Sequence, residues 1–223
     1  MRRIFYKKLD EINQDVVNMG SLVQDAVNDS LQAFLEMNVD LAKEVIERDE
    51  RINDYDISIE EKCIVIQAEH QPVAFDLRLL HSVSIIIKNL ERIGDLAVNV
   101  ARIIGRLSKD KEKKSLDKST IDLLVEMGNL VKLELACALG AFKNRDAKLA
   151  SRLGKSDDSV DKIQKMIFKK LFAAKREKED INFITNIALA SRYLERMGDQ
   201  SVNIGDRVLY FLTGDYTVFH DNA

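Results

Sequence analysis

The stretch that decides the fold is LERIGDLAVN, Leu90–Asn99, because the chain writes it again as LERMGDQSVN at Leu194–Asn203. Each copy sets two acids four residues apart, Glu91 with Asp95 and Glu195 with Asp199. Like charges at that spacing share one helix face and repel. Each copy also holds a glycine inside the pattern, Gly94 or Gly198, where glycine costs a helix about 1 kcal/mol relative to alanine. Two unfavourable choices repeated in register mark a duplicated unit that has a reason to keep them.

Working outward, the duplication covers the chain. MGSLVQDAVNDSLQAF from Met19 pairs with MGNLVKLELACALGAF from Met127, 108 positions on. The same step carries Leu41-Ala42 onto Leu149-Ala150, Asp49 onto Asp157, Ile52 onto Val160 and Asn53 onto Asp161. From Glu91 to Glu195 the step is 104, so the second unit is four residues shorter between these anchors. The turn AEHQPVAF against AKREKEDI is where the shortening is expected.

Within each unit the apolar residues recur at helical steps of three, four and seven: Val16, Val23, Val27, Leu31; then Val45, Ile52, Ile59, Cys63, Ile66; then Val83, Ile86, Leu90, Ile93, Ala97, Val100, Ile104. Breaks fall at Asn38-Val39-Asp40, at Gln71-Pro72, over the charged run Ser108–Ser119, at Lys143-Asn144-Arg145-Asp146 and at KREKED. One proline in 223 residues leaves room for long helices. The reading is all-α: two tandem three-helix bundles, six long helices in all. The first repeat is expected over residues 1–108, a solvated linker over 109–118, the second repeat over 119–215 and a flexible tail over 216–223.

Composition narrows the function classes. A net charge of −3 gives no electrostatic case for nucleic acid. No apolar run approaches the ~20 residues of a membrane span, and MRRIFYKKLDEINQ lacks the apolar core of a signal peptide. Cys63 and Cys137 form no motif and read as buried thiols of a reducing compartment, so a cytoplasmic location is expected. The chain carries no Gly-rich phosphate loop, no GxSxG and no paired Cys and His, and His70, His81 and His220 are scattered, so it does not read as an enzyme. Its basic residues are not expected to cluster into an anion pocket, and phosphate is not expected as a direct ligand of the acidic motifs.

With Glu91 at zero, Asp95 falls at about 40° and Asn99 at about 80°, against an apolar stripe centred near 200°. The acids therefore face away from their own core as a surface stripe, with Lys88 and Arg192 one turn earlier as local ion-pair partners. If the second and third helices form a hairpin bent at Pro72, Asp49 and Asn53 lie level with Asp95 and Glu91. The same reflection sets Asp157 and Asp161 beside Asp199 and Glu195. These eight are the candidate ligands, with Asn99, Asn203 and Asp206 as additions. Oxygen donors without His or Cys suit hard cations such as Mg²⁺, Mn²⁺, Ca²⁺ or oxidised iron. The glycine is expected to open the backbone to the cation or to a partner. Asp206 stands where the first unit has Arg102, and Asp161 where it has Asn53, so the second patch is expected to hold a cation more tightly. A cation site and a charged docking patch both remain open.

VIERDERIND, QPVAFDLRLL, LERIGDLAVN and YLERMGDQSVN, in that order, resemble the PhoU family of phosphate-signalling regulators. The resemblance spans nearly the full length and implies two three-helix bundles in a cytoplasmic homodimer. It further implies a non-enzymatic adaptor that represses the phosphate-starvation response and modulates phosphate uptake. Its partners would be the ATPase subunit of a phosphate ABC transporter and a sensor histidine kinase. Some members carry iron or other metals on acidic patches, which match Asp49, Asn53, Glu91, Asp95, Asp157, Asp161, Glu195 and Asp199 here. Where many members have histidine after the motif aspartate, this chain has Leu96 and Gln200. The alternatives weighed are a metal-dependent hydrolase, which predicts turnover, and an inert helical spacer, which predicts that neutralising the motif changes nothing.

Overall fold

Helical periodicity over long stretches, punctuated by short polar breaks, gives a computed structural model built from seven helices among the described residues, 2–108, 117–173 and 180–215 (side chains of 154–157 and 180 excepted). The first unit is α1 (Arg2–Glu36), α2 (Val39–His70) and α3 (Ala74–Leu107). The second is α4 (Lys118–Asn144), α5 (Ala147–Ala150), α6 (Leu153–Ala173) and α7 (Asp180–Thr213). No strand occurs among the described residues.

The breaks form where the sequence supplies caps. Asn38 accepts from the Leu41 amide (3.1 Å) to start α2, and its repeat equivalent Asp146 accepts from the Lys148 and Leu149 amides to start α5. Before each cap stands a residue in the left-handed region, Met37 (φ 53°) or Arg145 (φ 51°). The Asn38 amide reaches back to the Ala33 carbonyl and the Asp146 amide to Ala141, the six-to-one closure of a helix C-terminus. The duplicated turns thus share a backbone geometry that unrelated side chains satisfy.

The expectation of six helices is refined at one point. The middle helix of the second unit is interrupted, because Ser151-Arg152-Leu153-Gly154 stands where α2 has Lys43-Glu44-Val45-Ile46, and serine and glycine are weaker helix formers. The predicted shortening around KREKED, the greater part of the 109–118 linker and the 216–223 tail lie outside the described residues.

The packing exceeds two separate bundles. Each unit is a triangle of mutually packed helices, and α3 and α7 then share the most extensive helix pairing in the molecule, with α1 and α4 packed beside them. α3 and α7 run antiparallel: Phe75 meets Phe211 edge-on at 6.0 Å, and the Arg78 guanidinium lies against Gly214. Between α1 and α4, Leu139 fills the space over Gly20 and Leu31 fills the space over Gly128. Both glycines and both leucines are 108 apart, so the units meet about a pseudo-twofold axis. Buried side chains from both units form one continuous core. α2 and α6 are left on the two flanks, where the acidic motifs lie.

Candidate functional site

The hairpin arithmetic holds in the first unit. Asp49 of α2 acts electrostatically on Glu91 and on Asp95 of α3, and Asn53 donates a hydrogen bond to Asp49. The four residues meet at the α2–α3 seam, each half-buried rather than on an open face. The outward stripe read from one helix is thereby corrected: α2 covers its edge. Gly94 explains how. A methyl group there would come within 3.1 Å of the Ile52 side chain and 3.3 Å of Asp49 Oδ1, so the glycine admits α2 itself to the α3 backbone. The cation or partner expected at that position is replaced by the chain's own neighbouring helix.

Burial and crowding set the chemistry. Burial pushes the Asp49 carboxyl above its ordinary range and Asp95 pushes it further, against the Asn53 hydrogen bond and Arg102. Glu91 is raised by burial, then by Asp95, Asp56 and Asp49, with Arg92 opposing. Arg92 pairs with Asp95 at 3.5 Å. Asn99 is engaged along its own helix, accepting from Arg102 Nη1 at 3.3 Å.

Lys88 does not serve Glu91, as its place one turn earlier suggested. Its ammonium crosses the seam to Asp56 Oδ2 (2.7 Å) and Glu60 Oε2 (3.0 Å). Asp56 is buried, and its second oxygen has no hydrogen-bond partner. Sequence reasoning missed this pair although the same reflection through Pro72 finds it: residues 56 and 88 are equidistant from the bend, an acid facing a base.

The second seam is built from α6 and α7. Burial raises Glu195 above the ordinary carboxylate range, helped by Asp199 and Asp161, and burial raises Asp199, helped by Asp161, with Arg192 and Arg196 opposing both. Here Arg192 does stay on its own helix, pairing with Glu195 at 3.4 Å. The second Glu195 oxygen is buried and unpartnered. At the position of Asp56 stands Gln164, buried and with its amide nitrogen unsatisfied. Arg192 therefore supplies the positive charge that a comparison at position 102 alone overlooked. Asp157 lies on α6 with its side chain outside the described residues, and Asn203 is exposed. Asp206 is not among the charges acting on Glu195 or Asp199; burial lifts its own carboxyl to about 6, against Arg207.

The donors suit a hard cation in kind, all of them oxygen. Their placement does not close on one: among the described residues no three Asp, Glu, His or Cys side chains converge as a metal-binding group. What the seams do hold is crowded charge, four carboxyls raised first by burial and then by neighbouring carboxylates.

Fold and seams together define a class: a duplicated helical protein whose paired acidic motifs lie on the flanks of one fused core. The chain belongs to the PhoU family, whose domain model matches residues 16–104 and again 124–208. It is 33% identical over 222 residues to the phosphate-specific transport system accessory protein PhoU homolog of Clostridium acetobutylicum, covering 99% of each chain. It is 31% identical over 217 residues to phosphate-specific transport system accessory protein PhoU of Escherichia coli, covering 94% of this chain and 86% of the relative. The crystal structure of PhoU from Pseudomonas aeruginosa superposes with a TM-score of 0.88 at 35% identity, over 95% of this chain and all of the other. The phosphate transport system regulatory protein PhoU from Streptococcus pneumoniae superposes with a TM-score of 0.86 at 27% identity, over 95% and 98%.

Proposed function

We propose that the chain is a non-enzymatic regulator coupling a phosphate ABC transporter to a sensor histidine kinase, repressing the phosphate-starvation response and modulating phosphate uptake. The observation that carries this reading is the match along nearly the whole chain to relatives named as accessory proteins of phosphate-specific transport. Those names, and the regulatory protein among the structural neighbours, favour an adaptor over the hydrolase alternative. The partners are the transporter's ATPase subunit and the kinase, met in the cytoplasm by a homodimer. No helix among the described residues is long and apolar enough to cross a membrane; in this reading, contact with the bilayer runs through those partners. Deleting the gene is expected to derepress a starvation-inducible phosphatase in phosphate-replete cells, and the purified chain to co-elute with both partners. An unchanged reporter in the deletion strain overturns the reading.

Within that role the seams are assigned to a hard cation, iron, Mg²⁺ or Mn²⁺, held by Asp49, Asn53, Glu91 and Asp95 in the first unit and by Asp157, Asp161, Glu195 and Asp199 in the second. Asn99, Asn203 and Asp206 are peripheral to these sets. The raised carboxyls support the assignment, since a cation relieves the repulsion that raises them. The partly exposed Asp95 and Asp161 have freedom to swing onto an ion. Calorimetric titration of chelator-stripped protein with Mg²⁺, Mn²⁺ and Fe³⁺ is expected to show binding that Asp95→Ala and Asp199→Ala each reduce. Absent or unchanged heats would leave the seams as protein-docking surfaces.

A further inference from the structure

Contrary to the expectation from the sequence, basic residues do cluster in space at one place. Where the start of α2 meets the end of α3, a cleft of about 480 Å³ is lined by Lys43, Arg102 and Arg106, with no carboxylate in its lining. In a chain of net charge −3 that is a local reversal of sign. Among the described residues Lys43 pairs with the exposed Asp40 of its own helix, a contact of little strength in water. Arg102 touches Asn99 and acts across the seam on the half-buried Asp49, and Arg106 has no ion-pair partner among the described residues. The rest of the wall is mostly apolar, with Val39, Ala42 and Ile46 on α2 and Ser108 at the end of α3.

The cleft is open because of a glycine. A methyl group at Gly105 would meet nothing within 4 Å. The duplicated unit supplies the comparison: at the equivalent of Gly105 it has Leu209, which is buried. The equivalents of Lys43, Arg102 and Arg106 are Ser151, Asp206 and Tyr210. One copy has filled this position and holds no cation at any of the three places. The other has kept it empty, although leucine is the better helix former by most of 1 kcal/mol. Solvation of surface lysines and arginines explains the charges singly. It does not explain their convergence on a void lined by apolar groups.

We propose that this cleft binds a small organic phosphate, its phosphoryl oxygens held by Arg102, Arg106 and Lys43 and its apolar body against Val39, Ala42 and Ile46. Guanidinium forks match phosphoryl oxygens in shape as well as charge. The volume lies within the range of small-molecule sites and exceeds what inorganic phosphate alone would use. The site borders the first acidic seam through Arg102, which also acts on Asp49, but it does not rest on that seam's holding a metal.

ADP is the first probe, titrated calorimetrically in the presence of chelator, with adenosine and pyrophosphate as its two halves and inorganic phosphate beside them. ADP is expected to bind at least tenfold more tightly than either half, and more weakly as salt rises. Gly105→Leu, which installs the residue of the second unit, is expected to abolish binding while keeping or raising the melting temperature. Arg106→Glu is expected to weaken binding at least tenfold with the fold intact. The proposal is overturned if ADP does not bind, if either variant binds it as the parent does, or if pyrophosphate or inorganic phosphate binds as tightly as ADP. Vesicles of phosphatidylglycerol in phosphatidylcholine test the other source of such a group. Vesicle binding without ADP binding overturns the soluble ligand.

Discussion

At the scale of residues, the Lys88–Asp56 pair shows how one buried charge disciplines its surroundings. Lys88 is half exposed, whereas Asp56 is buried with one oxygen already unpartnered. Lys88→Met should lower stability by about 2 kcal/mol, because it leaves a buried carboxylate without its hydrogen bond. Adding Asp56→Leu should recover most of that loss, since an apolar pair of similar volume replaces a buried ion pair at little cost. Urea-unfolding midpoints of the two variants check both statements. Asp206 sets a second expectation. Its carboxyl is held near 6 in the folded chain by burial, above its ordinary value of 3.8, so the folded state binds the proton more tightly than the unfolded one. That contribution is present below pH 4 and is lost as pH rises through 6. Asp206→Asn should therefore melt higher than the parent at pH 7.5, match it near pH 4, and flatten the slope between. The raised Asp49, Glu91, Glu195 and Asp199 push in the same direction, so part of the slope stays. The candidate acids were legible because the motif is written twice, and Asp95 was placed against Asp49 because a hairpin is a mirror about its bend. The Lys88–Asp56 pair was within reach of the same reflection and was missed because Lys88 is read along its own helix, where Glu91 lies one turn on.

At the scale of elements, the turns repay attention. The hairpin joining α2 to α3 holds Gln71 at φ 46° and Ala74 at φ 46°, both in the left-handed region, with Val73 projecting into solvent between them. An alanine there costs about 1–2 kcal/mol against the right-handed form, and glycine carries no such penalty. Ala74→Gly is expected to raise stability by up to about 1 kcal/mol, read as an upward shift in melting temperature. Helix existence was plain in the sequence because apolar steps of three and four persist for thirty residues at a time. The interruption between α5 and α6 was hidden, because Leu149-Ala150 and Val160 keep the apolar pattern in step while Ser151 and Gly154 weaken the backbone beneath it.

At the scale of the molecule, α3 was read as carrying one apolar stripe, yet it buries Leu96, Val98, Ala101 and Ile103 as well as that stripe. A helix apolar on so many sides has two layers to face. One faces its own bundle, and the other faces α7. The repeat disclosed two units but not that they share a core, because periodicity describes one helix against an unnamed neighbour. The described ends of the chain also lie together. Arg2 and Phe5 line a cleft with Val73 and Asp76, and Gly214 rests on Arg78, so both ends sit beside the start of α3. Joining them with a short flexible linker and opening the chain between Ser108 and Asp117 would place the second unit first without asking any helix to move. Such a circular permutant should keep the far-ultraviolet spectrum and a single cooperative melt, and a chain that aggregates would show that synthesis order matters to assembly. If the halves can exchange order, chain topology is incidental to this body, and the packing of α3 on α7 and of α1 on α4 is what defines it.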